Sequence, residues 1–324
     1  MNIHHYPIDQ RIDLPKQGSW PEAVHLFDEE SAYALAAAEA ADRPLLIRGE
    51  PGTGKSQLAR AAAVATGRLF VAVVVNARTE SQDLQWRFDA VGRLGEAQTL
   101  AAQGHAQDVA ARMDPRRFLS PGPLWWVFDW RSAGEQHVYC TSPLEPEPIK
   151  PPHWESKQGS VLLIDEIDKA DADLPNGLLE TLGNGDFAVP YCSQSVRQSQ
   201  DDCPPPLVVI TTNEERELPV AFLRRCLVLQ LSLPEDDDEL LDFLCRRGAV
   251  HFKQSTEAVR RKAGKLLLED RKAAIAQGLP PPGQAEYLDL LRAVVRLAQD
   301  EDGRIKLLDK IGNFVLKKSP SLLR

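Results

Sequence analysis

Gly49-Glu50-Pro51-Gly52-Thr53-Gly54-Lys55-Ser56 satisfies the spacing G-x-x-x-x-G-K-[ST] at every specified position. Glycines let a backbone wrap closely round a polyphosphate, so that successive N–H groups point at its oxygens. Lys55 would then reach the outer phosphates, and the Ser56 hydroxyl would join the shell of a Mg²⁺ ion. Two adjacent carboxylates, Asp165 and Glu166, follow the apolar run Val161-Leu162-Leu163-Ile164. The first can hold Mg²⁺ through water, and the second can orient or deprotonate an attacking water. Asn213 comes soon after a second apolar run, Leu207-Val208-Val209-Ile210, and its neutral amide can position that water without adding charge. Arg224 and Arg225 stand side by side before Cys226, where a neighbouring subunit could present its γ-phosphate to them.

Each group also has a plain reading. Acidic residues often follow strands, Asn serves turns, and paired arginines usually decorate a solvated face. The glycine-rich loop, with a strand before it and a helix after it, makes the set specific.

Such chemistry needs its groups at one edge of a sheet. Leu45-Leu46-Ile47-Arg48 predicts a strand, Gly49 to Gly54 a turn and Lys55 to Thr66 a helix. Leu69 to Val75 is too apolar for a solvent face, as expected of a buried parallel strand. Val161 to Ile164, Leu207 to Ile210 and Leu227 to Leu231 add three more strands. In a doubly wound sheet, ligands gather at the carboxyl ends of the strands. Glu22 to Ala41 reads as a helix after an irregular lead, and Ser81 to Ala111 is helical in composition. Phe187 to Tyr191, with the polar stretch to Asp202, is open to a hairpin or a loose loop. Beyond Pro234 the chain reads as helices at Glu235 to Arg247, Thr256 to Gln277, Gln284 to Gln299 and Gly303 to Lys318, with a boundary near residue 233.

At 324 residues, two packed units are expected, and 43% hydrophobic with 26% charged residues excludes a disordered or collagen-like chain. A net charge of -9 disfavours a nucleic-acid clamp. Cys140, Cys192, Cys203, Cys226 and Cys245 make no CxxC pair, so neither a disulfide framework nor a zinc knuckle is indicated. No run approaches about 18 apolar residues, and MNIHHYPIDQ lacks the apolar stretch of a secretion signal. A cytoplasmic protein without a membrane span is expected. The scattered histidines show no ligand spacing, so no catalytic metal beyond Mg²⁺ is expected. Trp125, Trp126 and Trp130 read as core or domain interface in preference to a partner patch. The acidic run Glu235 to Glu239 suits the opening of a helix. The basic residues Arg304, Lys306, Lys310, Lys317, Lys318 and Arg324 suit a solvated helix face.

GEPGTGKS, VLLIDEIDKA, VVITTNEERELP and AFLRRC, in that order, resemble the AAA+ ATPases and most closely their MoxR-like branch. Supporting words are SQDLQWRFDAVGRLGEAQ and LPVAFLRRCLVLQL, and the resemblance runs from about residue 20 to about residue 300. It implies an α/β fold: a P-loop αβα sandwich around a parallel central sheet, followed by a smaller all-helical lid. With the boundary above, that gives a lead (1–20), a nucleotide-binding core (21–233) and a lid (234–324). Carried over by motif, Gly49 to Gln57 bind ATP, Ser56 and Asp165 hold Mg²⁺, Glu166 is the Walker B glutamate and Asn213 is sensor 1. Arg225, with Arg224 beside it, is the arginine finger. The branch's helix-2 insert maps near Ser81 to Phe88, and its hairpin before sensor 1 to Phe187 through Cys203. One departure stands out: Gly278 to Gln284, where relatives carry a basic sensor 2, has no Lys or Arg. Lys272 and Arg292 are candidates by proximity alone, and sensor 2 stays unassigned.

The resemblance implies a homo-oligomeric ring, typically a hexamer, that hydrolyses ATP to remodel a protein client or adaptor, often one bearing a von Willebrand factor A domain. A nucleotide-gated assembly or signalling switch in a bacterial defence or stress system is the alternative. A nucleic-acid motor ranks below both on charge.

Overall fold

The computed structural model describes residues 5–103, 109–192, 195–198 and 203–316. β1 (Arg11–Leu14) and β2 (Ala23–Leu26) pair as an antiparallel ribbon, with Arg11 opposite Leu26. A helix was expected from Glu22, but α1 is confined to Glu29–Ala41. Helix-forming composition begins in earnest only there. Val24 and His25 are buried in the ribbon, and the available pairing partner overrides a weak local preference.

β3 (Leu45–Gly49), α2 (Lys55–Thr66) and β4 (Leu69–Val74) follow in the predicted order. The stretch expected to be helical from Ser81 to Ala111 is interrupted after α3 (Ser81–Gln85) by β5 (Trp86–Phe88), with α4 (Ala90–Gln103) and α5 (Val109–Arg112) following; residues 104–108 lie outside the described residues. The cause is long-range: β5 pairs antiparallel with β6 (Leu119–Pro121), setting Phe88 opposite Leu119. The proline- and tryptophan-rich stretch forms α6 (Pro123–Phe128), with Pro123 at its first position, and α7 (Trp130–Tyr139), capped by Asp129 accepting from the Ser132 N–H. Trp125 and Trp126 are 3% exposed and belong to the core.

β7 (Ser160–Asp165) leads to α8 (Asp173–Asn184). β8 (Asp186–Phe187) and β9 (Val196–Arg197) pair antiparallel, Phe187 opposite Val196; residues 193–194 and 199–202 of the expected hairpin lie outside the described residues. β10 (Leu207–Thr212), α9 (Val220–Leu223) and β11 (Leu227–Leu231) complete the strand-rich part. The last elements are α10 (Asp237–His251), α11 (Glu257–Ala276), α12 (Gln284–Leu297) and α13 (Glu301–Leu316). Asp236 caps α10 by accepting from the N–H groups of Asp238 and Glu239, so the acidic run does open a helix. Lys317, Lys318 and Arg324 lie outside the described residues.

The central sheet is five-stranded and parallel, in the order β11-β3-β10-β7-β4. Val161 lies opposite both Leu207 and Phe70, which sets the register of β7 against its two neighbours. β7 and β10 are buried from end to end apart from Asp165, and their apolar runs Val161–Ile164 and Leu207–Ile210 are what strands covered on both faces require. Because these strands are parallel, the carboxyl ends of β7 and β10 lie at one edge of the sheet.

Two compact units result. Of the described residues, one gathers 5–7, Glu30–Ile47 and Ala59–Leu229; the other gathers Ile8–Glu29, Arg48–Leu58 and those from Gln230 onward. The first has its core at the sheet and α6, with Leu162, Ile164, Val208 and Ile210 among its buried members. The second packs Leu244, Val259, Leu267, Tyr287, Leu291 and Leu308 of the four last helices. Among the described residues, no helix is long and apolar enough to cross a membrane.

Candidate nucleotide-binding and catalytic site

The loop between β3 and α2 belongs to the second unit. Gly52 and Gly54 take φ of +80° and +97°, conformations that side chains disfavour, so the path of the loop requires glycine there. Lys55 is buried. Its Nζ donates to the carbonyls of Gly49 at 2.6 Å and Glu50 at 3.0 Å, and so lies folded back along the loop. Thr53 Oγ1 donates to the Glu50 carbonyl at 2.9 Å, tightening the same turn. Ser56 and Gln57 lie half-buried in the first turn of α2, and Pro51 is exposed.

The acidic pair belongs to the first unit, where β7 and β10 deliver it. Thr211 is fully buried, and its Oγ1 joins two residues of the neighbouring strand end: it donates to Asp165 Oδ1 at 2.6 Å and accepts from the Glu166 N–H at 2.9 Å. Glu166 adopts a left-handed conformation, φ 60° and ψ 48°, which costs about 1–2 kcal/mol for a residue with a Cβ. Its carboxylate accepts from Asn213 Nδ2 at 3.3 Å and pairs with Lys169 Nζ at 3.1 Å. That hydrogen-bonded partnership holds the Lys169 ammonium above its usual range. Asp168, 2% exposed, accepts from the N–H groups of Asn213 at 3.4 Å and Glu215 at 2.9 Å, fixing the chain that leaves β10. Asp165, Glu166 and Asn213 thus come together as the sequence places them. Thr211 and Asp168 are additions: both stand inside recognised motifs, but only their partners across the sheet reveal what they hold.

Arg224 and Arg225 are both exposed after α9, in the first unit. Their backbone is held by Arg43, whose Nε donates to the Arg225 carbonyl at 3.0 Å and whose Nη2 donates to the carbonyls of Arg224 and, at 3.3 Å, Cys226. The Leu227 N–H adds a bond to the Pro44 carbonyl at 2.9 Å. Nothing in the local sequence marks Arg43 for this grip, whose partners lie 181 to 183 residues further along the chain.

The second unit also answers where a cation of the helical region goes. Lys272 pairs with Asp237, and Arg292 with Asp289 on its own helix. Arg271, the residue before Lys272, instead donates from both terminal nitrogens to Glu50 of the loop at 3.4 Å, and from Nη1 to the Pro282 carbonyl at 3.0 Å.

A family model described as the AAA domain, dynein-related subfamily, matches residues 44–226. The chain belongs to this family. The match runs from the residue before β3 to Cys226, and so takes in the loop, the acidic pair, Asn213 and both arginines. Among solved structures, Thermotoga maritima RuvB, a Holliday junction branch migration motor, aligns with a TM-score of 0.45 at 16% identity over 87% of this chain and 67% of that one. A variant of the same protein gives 0.44 at 16% identity and the same coverage. Comparison with curated proteins finds no sequence match. AAA domains are nucleotide-hydrolysing ATPases that generally bind nucleotide with Mg²⁺ and typically oligomerise, and this AAA protein has the corresponding fold.

Proposed function

We propose that this AAA protein is a MoxR-like ATPase that binds ATP·Mg²⁺ on Gly49 to Gln57, hydrolyses it with Glu166, and uses the cycle in a cytoplasmic homo-oligomeric ring, a hexamer, to remodel a protein partner. The observation that carries the reading is the Thr211-centred cluster, which fixes Asp165, Glu166 and Asn213 at adjacent strand ends. Ser56 hydroxyl and Asp165 carboxylate are hard oxygen donors, the class that suits Mg²⁺, and Asp165 already receives the orienting hydrogen bond that metal-bound carboxylates commonly have. Bound there, the ion supplies charge neutralisation on the phosphates.

The chain's own residues do the rest. Lys55 exchanges its two loop carbonyls for outer phosphate oxygens, and the loop N–H groups bind the others. Glu166, steadied by Asn213, orients a water and takes its proton as the water oxygen bonds to the γ-phosphorus and the bond to the β-phosphate oxygen breaks. Arg225, with Arg224 beside it, acts on a neighbour's γ-phosphate, and Arg43 sets the direction of both. The division of labour follows the chain: core 21–233 for chemistry, lid 234–324 for response. The partner is a protein client or adaptor, with a von Willebrand factor A domain as the type suggested by the MoxR resemblance; a net charge of -9 argues against nucleic acid in that role.

Glu166→Gln preserves the hydrogen bond from Asn213 and removes the base. It is expected to bind ATP normally, to lose turnover and to retain its partner when recovered from its native cell with ATP. An undiminished ATPase rate would sink the assignment, and an ATPase rate raised by DNA in a salt-dependent way would replace the protein partner with a nucleic acid. The second reading, a slow nucleotide-gated switch, is favoured by the absence of a basic residue from 278–284. ATP-dependent assembly with turnover far below once per minute would select it.

A further inference from the structure

The amino end of α12 lies against the phosphate loop within the same compact unit. A Cβ on Gly52 would stand 2.8 Å from Ala285 Cβ, and one on Gly54 would stand 4.0 Å from Gln284 Nε2. Arg271 ties this arrangement together, joining Glu50 of the loop to the Pro282 carbonyl just before the helix. Glu286 turns back to accept from the Gly283 N–H at 2.9 Å, but the N-cap is a glycine and, among the described residues, no side chain caps the helix by accepting from its first N–H groups. Gln284 itself is 7% exposed, and its Oε1 has no hydrogen-bond partner among the described residues. Burying an amide oxygen in this way is unfavourable, and an apolar residue would avoid the penalty. Of the basic residues on α11 and α12 named above, Arg271 pairs with Glu50, Lys272 with Asp237 and Arg292 with Asp289.

We propose that Gln284 and the amino end of α12 form an uncharged phosphate-binding element, which faces the loop and completes the nucleotide site with an amide and a helix dipole instead of a cation. The inference rests on the ATP-binding reading above. Gln284 Nε2 donates to a phosphate oxygen, Oε1 accepts from a water of the phosphate shell, and the uncapped N–H groups of α12 add the positive end of a second helix to that of α2. Arg271 and Glu50 are positioning residues that seat this element.

The test is calorimetric binding of ATP and of adenosine to the full-length wild type, Gln284→Ala, Gln284→Glu and Lys55→Ala, each shown by a cooperative unfolding curve to be folded at the assay temperature. Gln284→Ala should weaken ATP by about 10- to 100-fold, as expected for loss of a hydrogen bond to a charged group, and should leave adenosine within about twofold of wild type. Gln284→Glu should bind ATP more weakly still, with a deficit that shrinks as salt rises. Wild-type ATP affinity in Gln284→Ala while Lys55→Ala loses ATP would overturn the inference alone. So would equal losses for ATP and adenosine, which would move the amide to the base or to the fold. If Lys55→Ala also binds ATP as wild type does, the nucleotide reading fails and the inference with it.

Discussion

Replacing Thr211 by valine keeps the shape of a fully buried side chain and removes only its hydroxyl. Two bonds go at once. Asp165 loses a short charge-assisted donor at 2.6 Å, and the Glu166 N–H, held at 2.9 Å, is left without that acceptor. A hydrogen bond to a charged group contributes about 1.5–3 kcal/mol, and an orphaned buried donor costs about 1–3 kcal/mol. Allowing for partial relaxation, Thr211→Val should lower stability by about 2–5 kcal/mol. The second bond also helps retain Glu166 in its left-handed conformation, which is unfavourable by about 1–2 kcal/mol. Once released, that residue relaxes and carries its carboxylate away from Asn213. A displacement on the order of 1 Å at a reacting group lowers rate by about 100-fold, so turnover should drop by that order. ATP affinity, which depends on the phosphate loop, should change little. Urea unfolding gives the first quantity, steady-state phosphate release the second and calorimetry the third, with Thr211→Ser expected to restore most of both losses. A Thr211→Val protein within about 0.5 kcal/mol of wild type and with undiminished turnover would refute the bridging role.

Two further outcomes follow from the same geometry. Arg43→Ala removes three carbonyl contacts from the segment carrying Arg224 and Arg225, and, with Arg225 as the proposed arginine finger, should lower kcat at least tenfold, a fraction of the roughly 10³ to 10⁵ that an arginine finger contributes. The loss should be non-additive with Arg225→Ala, and additive losses in a double-mutant cycle would separate Arg43 from the proposed finger. In the second unit, burial and the nearby Arg247 push His25 down to about 3 and His251 down to about 4 from the usual 6.5. Both are depressed on folding, so the stability they provide is complete above pH 6.5 and is lost as pH falls toward their folded values. His25 alone accounts for a loss of about 2 kcal/mol by pH 5, read from unfolding midpoints, and His25→Phe should flatten the curve across that range.

The chemical groups were legible in the sequence wherever their geometry is local. G-x-x-x-x-G-K-[ST] encodes a loop whose hydrogen bonds, Lys55 to Gly49 and Thr53 to Glu50, close within a few residues. The apolar runs of β3, β7 and β10 announce strands covered on both faces, and thereby put Asp165 and Asn213 at carboxyl ends. Where pairing comes from far along the chain, composition misleads: β2 stands where a helix was expected because β1 offers it a ladder, and β5 interrupts a helical stretch because β6 does.

The same division holds for the site. Spacing nominated the acidic pair, Asn213 and the adjacent arginines, but did not reveal what holds them. Thr211 reaches Asp165 across 46 residues of chain, and Arg43 reaches Arg224 across 181. Sequence proximity offered Lys272 and Arg292 as candidates and left sensor 2 unassigned; it is Arg271 that meets Glu50, because one position along a helix turns a side chain by about 100° and decides which neighbour it faces. Residue types and short-range spacing therefore determined which chemistry is proposed for this protein. The long-range packing of strands and helices alone decided which hydroxyl, amide and guanidinium hold it in place.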